Sequence, residues 1–464
     1  MSNFKQVCKN VHDYVRSTDN INMIAKMAAF SVLFFVSFFW IPLFYIMLVG
    51  FVIVIALEFS YKSLAYILYF GVWVNYSLTT IIYAVITGLY IGICFIKILF
   101  IEPKSELKKM IVFTLAFIPF LIYICIPPFA GNSASLLSYG LLLFVCIYAA
   151  EKIGFKSMVL WFSYGLIVSS FIGLFVYQIT FLNNAVASHY IAGIRRFSGI
   201  TVNPNIFYRH ILCAVAGISI LSLKKQIKWW EFFALLVVLS SFGFMTLSRG
   251  FYMFYPIILF MYIVLLIIRD KQRSFIQISI LCLAMIIAVV SMYKYTLPAI
   301  AWVFETFNIE TNIETGSDTE VNDELINSSE PLISQFDPGR WNIWRDNIKE
   351  WTTDPVTFIF GNGLDSPNTG GVSQHNAIVF VAVKMGLVGL LAFVGFLVAV
   401  FWTMYGAKRC RFRMVQMLLI LGLVSVCIVE KSFPTMRFFQ FLILFVICVG
   451  DDKKAEISTK SDFS

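Results

Sequence analysis

The chain has 464 residues, of which 59% are hydrophobic and only 13% charged, with a formal net charge of +9. Soluble domains carry roughly 45–50% apolar and about 25% charged residues, so this composition excludes a water-soluble enzyme or binding module and requires the bilayer as solvent. The nine cysteines (8, 94, 125, 146, 213, 282, 410, 427 and 448) lie in apolar runs or basic segments, a usage that suits small buried hydrophobes and indicates neither a disulfide framework nor a metal cluster.

In chain order, the first 22 residues are polar and charged and show no cleavable signal, so the first membrane helix is expected to direct insertion. Within them Phe4, Val7, Cys8, Val11, Tyr14 and Val15 recur at helical spacing, which reads either as a short interfacial helix or as a basic tail. The apolar run from Met23 to Ser60 would make a single helix of roughly 55 Å, far longer than a hydrocarbon core of about 30 Å. Two spans meeting near Pro42 fit instead. The run from Ser63 to Phe100 is divided near Asn75 to Ser77, where polarity rises. Further spans are predicted at 110–127, 135–150, 157–180, 204–222, 229–247, 251–268, 275–294, 376–402, 414–429 and 435–450.

The predicted fold is therefore an all-α integral membrane protein with about fourteen transmembrane helices, or twelve on a stricter count. Its parts are a cytoplasmic N-terminal segment (1–22), helices 1–11 (23–294), a large external loop (295–375), helices 12–14 (376–450) and a cytoplasmic tail (451–464). Orientation follows from charge. One alternate set of connections holds Lys104, Lys108 and Lys109; Lys152 and Lys156; Lys224, Lys225 and Lys228; Arg269 to Arg273; Lys408 to Arg413; and Lys453 and Lys454. Clustering of Lys and Arg on one side marks the cytoplasm, so both termini are expected there.

The connection 295–375 holds thirteen acidic residues against Arg340, Arg345 and Lys349. Its first half, Glu305 to Glu330, is acidic and Asn/Ser-rich, without the ligand spacing of an EF-hand calcium loop. In its second half Asp337 and Pro338 supply a helix start, and Trp341, Trp344, Ile348 and Trp351 follow at helical spacing, which predicts an amphipathic helix. The tryptophans suit an interfacial anchoring stripe or a platform for sugars.

Cationic and hydrogen-bonding residues gather at the external ends of several spans. Arg195 and Arg196 precede Asn203-Pro204-Asn205; Ser248-Arg249-Gly250 sits at a junction of two helices; Arg340 opens the loop helix; His375-Asn376 begins the next span. Arg209 and His210 fall inside a span, where ionisable groups are costly and usually face a cavity. Asn205 and Arg209, four apart, share a helix face. Any one of these arginines alone could be a snorkelling or salt-bridged residue, and that reading fits Arg345, Lys349, Lys431 and Arg437. Several at one membrane face suit a phosphate or diphosphate, whose oxygens match the guanidinium fork.

The order Arg196-Phe197-Ser198-Gly199, Asn203-Pro204-Asn205, Ser248-Arg249-Gly250, then Arg340, Trp344, Gly361-Asn362-Gly363, His375-Asn376 and Gly386-Leu387-Val388-Gly389 resembles the O-antigen polymerase and ligase superfamily. The resemblance runs from Arg196 to Gly389. The residues before it match only as a series of spans, and the acidic half of the loop has no counterpart. It implies a glycosyltransferase at the outer face of the cytoplasmic membrane, acting on undecaprenyl-diphosphate-linked oligosaccharide donor and acceptor in capsule, exopolysaccharide or O-antigen synthesis. It implies no cofactor and no metal; its partners are those lipid-linked glycans and the bilayer, and it admits a chain-length regulator protein but no nucleic acid.

In that reading Arg196, Arg249 and Arg340 stabilise the charge on the departing diphosphate, and His375 is the base for the acceptor hydroxyl, although a lone loop histidine is also a common surface residue. Arg195, Asn203, Asn205, Arg209, Ser248 and Asn376 complete the substrate site. Gly386 and Gly389 are read as permitting close helix packing. A polymerase is the first expectation, on the base rate of such enzymes. A ligase of the same superfamily is the alternative, and a flippase or secondary transporter is a further one that the large loop and the absence of a visible repeat disfavour.

The topology carries its own test. A cysteine in place of Asp318, in a loop that has no native cysteine, should react with an impermeant maleimide on intact cells; reaction only after permeabilisation would reverse the assigned orientation.

Overall fold

The computed structural model describes residues 20–40, 42–70, 89–90, 92–98, 100, 145, 153–178, 189–191, 194–199, 204–269, 278–279, 281–283, 286, 290, 338–363 and 377–405. The expected N-terminal helix, the division near Asn75 to Ser77, the spans 110–127, 414–429 and 435–450, and the acidic half of the loop lie outside them. So does the span 135–150, apart from residue 145.

The first apolar run folds as two helices, α1 (Asn20–Ser37) and α2 (Pro42–Leu57), which pack on each other. Pro42 opens α2, where its missing N–H has no partner to lose. Glu58 and Phe59 separate α2 from α3 (Ser60–Phe70), and α3 lies along α4 (Phe155–Gln178). The approach is close because position 165 is glycine: a Cβ there would overlap the carbonyl oxygen of Tyr69.

A short hairpin follows, β1 (His189–Ile191) against β2 (Ile194–Arg196), with Tyr190 opposite Arg195. Helical periodicity gave no hint of it. Then come α5 (Pro204–Leu223), α6 (Trp229–Met245) and α7 (Arg249–Arg269), and farther on α8 (Pro338–Trp351), α9 (Pro355–Phe360) and α10 (Ala377–Tyr405).

Among the described residues, three stretches are long and apolar enough to cross a membrane: Phe155–Val176, Gly250–Ile268 and Ile378–Gly395. The 19 residues of the second span about 28 Å. Both of its sides are apolar. Phe254, Tyr255, Ile258, Tyr262 and Leu265 are buried, while Met253, Ile257, Phe260, Val264 and Ile268 are exposed on the opposite stripe. A helix facing water would put charge there; an apolar outer stripe is a lipid-facing one. Helix α5 is different, being buried from Phe207 to Leu221 on every side. It is the central post, with α4, α6 and α7 packed around it.

At the junction of α2 and α3 buried charge is paired. Glu58, at the end of α2, accepts from Lys26 of α1 at 2.9 Å, and Lys62 of α3 lies 3.9 Å from its other oxygen. Lys97 donates to the Glu58 carbonyl at 2.6 Å and to that of Ile55, capping the end of α2. An unpaired ionisable group inside the membrane is costly, and this pairing offsets that cost.

Helices α8 and α9 both pack on α10. Asp354 caps α9 by accepting from Val356 N and Thr357 N, each at 2.9 Å. The Thr357 hydroxyl, and then its N–H, hold this exposed carboxyl below its ordinary value. Trp351 stacks on Phe358 with ring centroids 5.0 Å apart and donates Nε1–H to its carbonyl. The expected helix 338–351 is present, but its buried side differs from the tryptophan stripe: Asn347 is 1% exposed and Ile348 44%. Asn347 tolerates burial because its Nδ2 donates to Ile343 O at 2.7 Å.

The span expected at 376–402 is broken. Gly386 has φ 63 and ψ −165, so α10 consists of two helices across a kink. The carbonyls of Val383 and Lys384 accept from Asn362 N (2.8 Å) and Gly363 N (3.1 Å) of the turn after α9. Gly361 and Gly386 meet backbone to backbone: a Cβ on Gly361 would sit 2.5 Å from the Lys384 carbonyl carbon, and one on Gly386 would strike the Ile359 carbonyl. The expected close approach is therefore between a turn and a helix break. Gly389 serves the same kink, since a Cβ there would overlap Met385 Cβ.

Gly386→Ala should lower thermal stability in detergent by an amount on the order of 1–3 kcal/mol from the left-handed backbone alone. Gly395→Ala, where a Cβ meets nothing, should be nearly neutral. Equal melting temperatures for the two variants would mean that the kink is not required.

Candidate functional site

Helices α6 and α7 are joined by three residues, Thr246-Leu247-Ser248. So short a corner leaves the last carbonyls of α6 and the first N–H groups of α7 near each other. Thr246 closes α6, its N–H and hydroxyl both donating to Gly243 O. Leu247 takes φ 46, a conformation rare for a branched side chain, and Ser248 O accepts from Phe251 N and Tyr252 N at the start of α7.

Onto this corner the hairpin delivers Arg196. Its Nε donates to Thr246 O at 2.9 Å and its Nη2 to Asn205 Oδ1 at 2.8 Å. Ser248 Oγ donates to the same Asn205 Oδ1 at 3.0 Å. Arg209, one turn along α5, folds back so that its Nε donates to Asn205 O at 2.8 Å. Asn205 is thus the common acceptor of three side chains drawn from β2, the α6–α7 corner and α5. Thr246 O and Asn205 Oδ1 together orient the guanidinium of Arg196.

The residues around Arg196 hold it there. Phe197 N donates to Met245 O at 2.9 Å, and its ring stacks on Phe242 and meets Phe207 edge-on. Ser198 is buried, and Gly199 turns the chain at φ 60 against Gly173 of α4. Across the corner, a Cβ on Gly250 would overlap the Tyr208 hydroxyl, so α7 starts as close to α5 as a glycine allows. His210, 1% exposed, lies beside the Phe162 ring of α4, with centroids 6.1 Å apart.

Of the residues expected from sequence, Arg196, Asn205, Arg209 and Ser248 are brought into hydrogen-bonded contact. Arg249 follows Ser248 as the first residue of α7, and Arg195 lies in β2 opposite Tyr190. Arg340 is in the first turn of α8, which packs on α10, whereas the corner belongs to β2 and α5–α7. Asn203, His375 and Asn376 lie outside the described residues.

Two participants at the corner, and one residue at the α2–α3 junction, escaped the sequence reading. Thr246 acts through a carbonyl that any residue would supply, so no signal marked it. Tyr208 is one aromatic among many. Glu58 did carry a signal, being the only acidic residue between Asp19 and Glu102.

Asn205→Leu keeps the volume but removes the shared side-chain acceptor, leaving the donors of Arg196 and Ser248 without it; an unsatisfied buried group costs about 1–3 kcal/mol. In a double-mutant cycle Arg196→Met and Asn205→Leu should couple by about 0.5–3 kcal/mol in thermal stability. Additive effects would dissolve the corner as a unit.

No family model matches the chain, and no curated protein matches it.

Proposed function

We propose that the chain is a multi-pass glycosyltransferase that polymerises undecaprenyl-diphosphate-linked oligosaccharide repeat units at the outer face of the cytoplasmic membrane. In this reading about fourteen helices span the bilayer, both termini are cytoplasmic and 295–375 is external. The observation that carries it is the convergence of Arg196, Arg209 and Ser248 on Asn205. Two guanidinium groups, with Arg249 next in the chain, gather at one end of a bundle built of apolar helices.

The chemistry such a corner suits is departure of a diphosphate. In the transfer, an acceptor hydroxyl oxygen forms a bond to the anomeric carbon while the bond from that carbon to the diphosphate oxygen breaks. The electron pair leaves with the diphosphate, and the hydroxyl proton goes to a base. Arginines of fixed orientation supply the complementary charge, with Arg196 pinned by Thr246 and Asn205, and with Arg249 and Arg340 completing the clamp. His375 is the base in this scheme. Its residue type has an ordinary pKa near neutrality, so it can accept a proton there. The segments that carry the family resemblance fall in two places: 196–199, 205 and 248–250 at the arginine corner, and 361–363 and 386–389 at the α10 break. Within each of the two places segments distant in sequence meet, which supports reading each as a functional element.

Purified protein given a lipid-linked repeat unit should yield a ladder of products. A single transfer to a second acceptor would make it a ligase, and no transfer at all would leave transport. Turnover should survive chelator; loss restored by Mg²⁺ would contradict the metal-independent scheme. His375→Ala should lower turnover by about 10²- to 10⁴-fold with donor binding retained. Arg249→Lys, which keeps charge but loses the bidentate fork, should impair both.

A further inference from the structure

The segment 352–363 changes character abruptly at Asp354. Before it Thr352, Thr353 and Asp354 are exposed and polar; after it, Val356 is 64% exposed, and Phe358, Ile359 and Phe360 are each 37–40% exposed. Four large apolar side chains on six residues of helix form a patch that water would penalise. The patch does not stand apart from the bundle. The Ile359 carbonyl abuts Gly386, and immediately beyond that point α10 presents Val388, Leu391, Val394 and Val398, all exposed at helical spacing. The apolar surface of α9 therefore runs directly into the outward stripe of a membrane-length helix.

Depth supports the same reading. The turn after α9 meets α10 at Val383 and Lys384, six and seven residues in from Ala377, or on the order of 10 Å along the helix. A chain segment entering a water-free layer must satisfy its backbone N–H and C=O groups internally, and the N–H groups of this one are all paired. Pro355 has none. Val356 and Thr357 donate to the Asp354 side chain, Phe358 to Asp354 O, Ile359 and Phe360 within α9, Gly361 to Thr357 O, Asn362 to Val383 O and Gly363 to Lys384 O.

We propose that residues 355–363 form a re-entrant dip, in which Val356, Ile359 and Phe360 contact the acyl chains of the bilayer and Asp354 marks the water boundary. The break in α10 at Gly386 makes the dip possible, because it releases the two carbonyls that receive Asn362 and Gly363. The inference requires that α10 spans the membrane and does not depend on glycosyl transfer.

The test places p-benzoylphenylalanine, one site at a time, at Val356, Phe360, Leu391 and Asp346 of the full-length protein in native membranes, followed by irradiation and mass spectrometry. Leu391 on the outward stripe is the lipid reference, and Asp346, exposed on α8, is the aqueous one. Phospholipid adducts at 356 and 360 comparable to those at 391, and several-fold above those at 346, are expected. A cross-link from 356 or 360 to another polypeptide would assign the patch to a protein partner or a second copy. Adducts at 391 alone would put the segment in water. Either result overturns the dip.

Discussion

Every part of this structure answers to the requirement that backbone polar groups find partners where water is absent. Unbroken helices meet it automatically; the difficulty lies wherever a helix ends or breaks within the apolar bundle. The chain does so at three described places, and each is closed by groups from elsewhere in the sequence. Lys97 caps the carbonyls at the end of α2, Arg196 takes the Thr246 carbonyl at the α6–α7 corner, and the turn 361–363 takes the carbonyls freed at Gly386. The breaks are consequently where distant segments are tied together.

The ties also decide where charge resides. Around Glu58, lysines from three helical segments meet a carboxylate and helix-end carbonyls, an arrangement that neutralises and closes a junction. At the other corner Arg196 and Arg209 are held by an asparagine and backbone carbonyls. These acceptors fix the direction of the two guanidinium groups. The same device, an end of helix satisfied by a basic side chain, thus yields a structural lock in one place and a candidate anion site in the other.

Close packing relies on glycine for reasons that differ. At Gly250 and Gly165 the missing side chain lets a neighbour in: the Tyr208 hydroxyl at one, the Tyr69 backbone at the other. At Gly361 and Gly386 the backbone itself is in the left-handed region and lies against another stretch of backbone, so neither space nor conformation admits a Cβ. Reading Gly386 and Gly389 as helix-packing residues captured the closeness of approach and missed the break that creates it.

From the sequence alone, hydrophobic run length and proline position determined the described helices at 20–37, 42–57, 155–178, 204–223, 229–245 and 249–269 to within a few residues, because span length is a local property set by the bilayer. The helix 338–351 was equally legible from its proline and periodicity. The pairing of Asn205 with Arg209 was also local, being one turn of one helix. That Arg196 and Ser248 share the side-chain oxygen of that asparagine was not readable, since it depends on a hairpin with no periodic signal and on a three-residue corner whose direction is set by packing against α5. Nor was the kink at Gly386, because glycine permits a left-handed backbone without demanding it. Only the arrival of the turn 361–363, with two N–H groups needing acceptors, selects the broken form over the continuous helix.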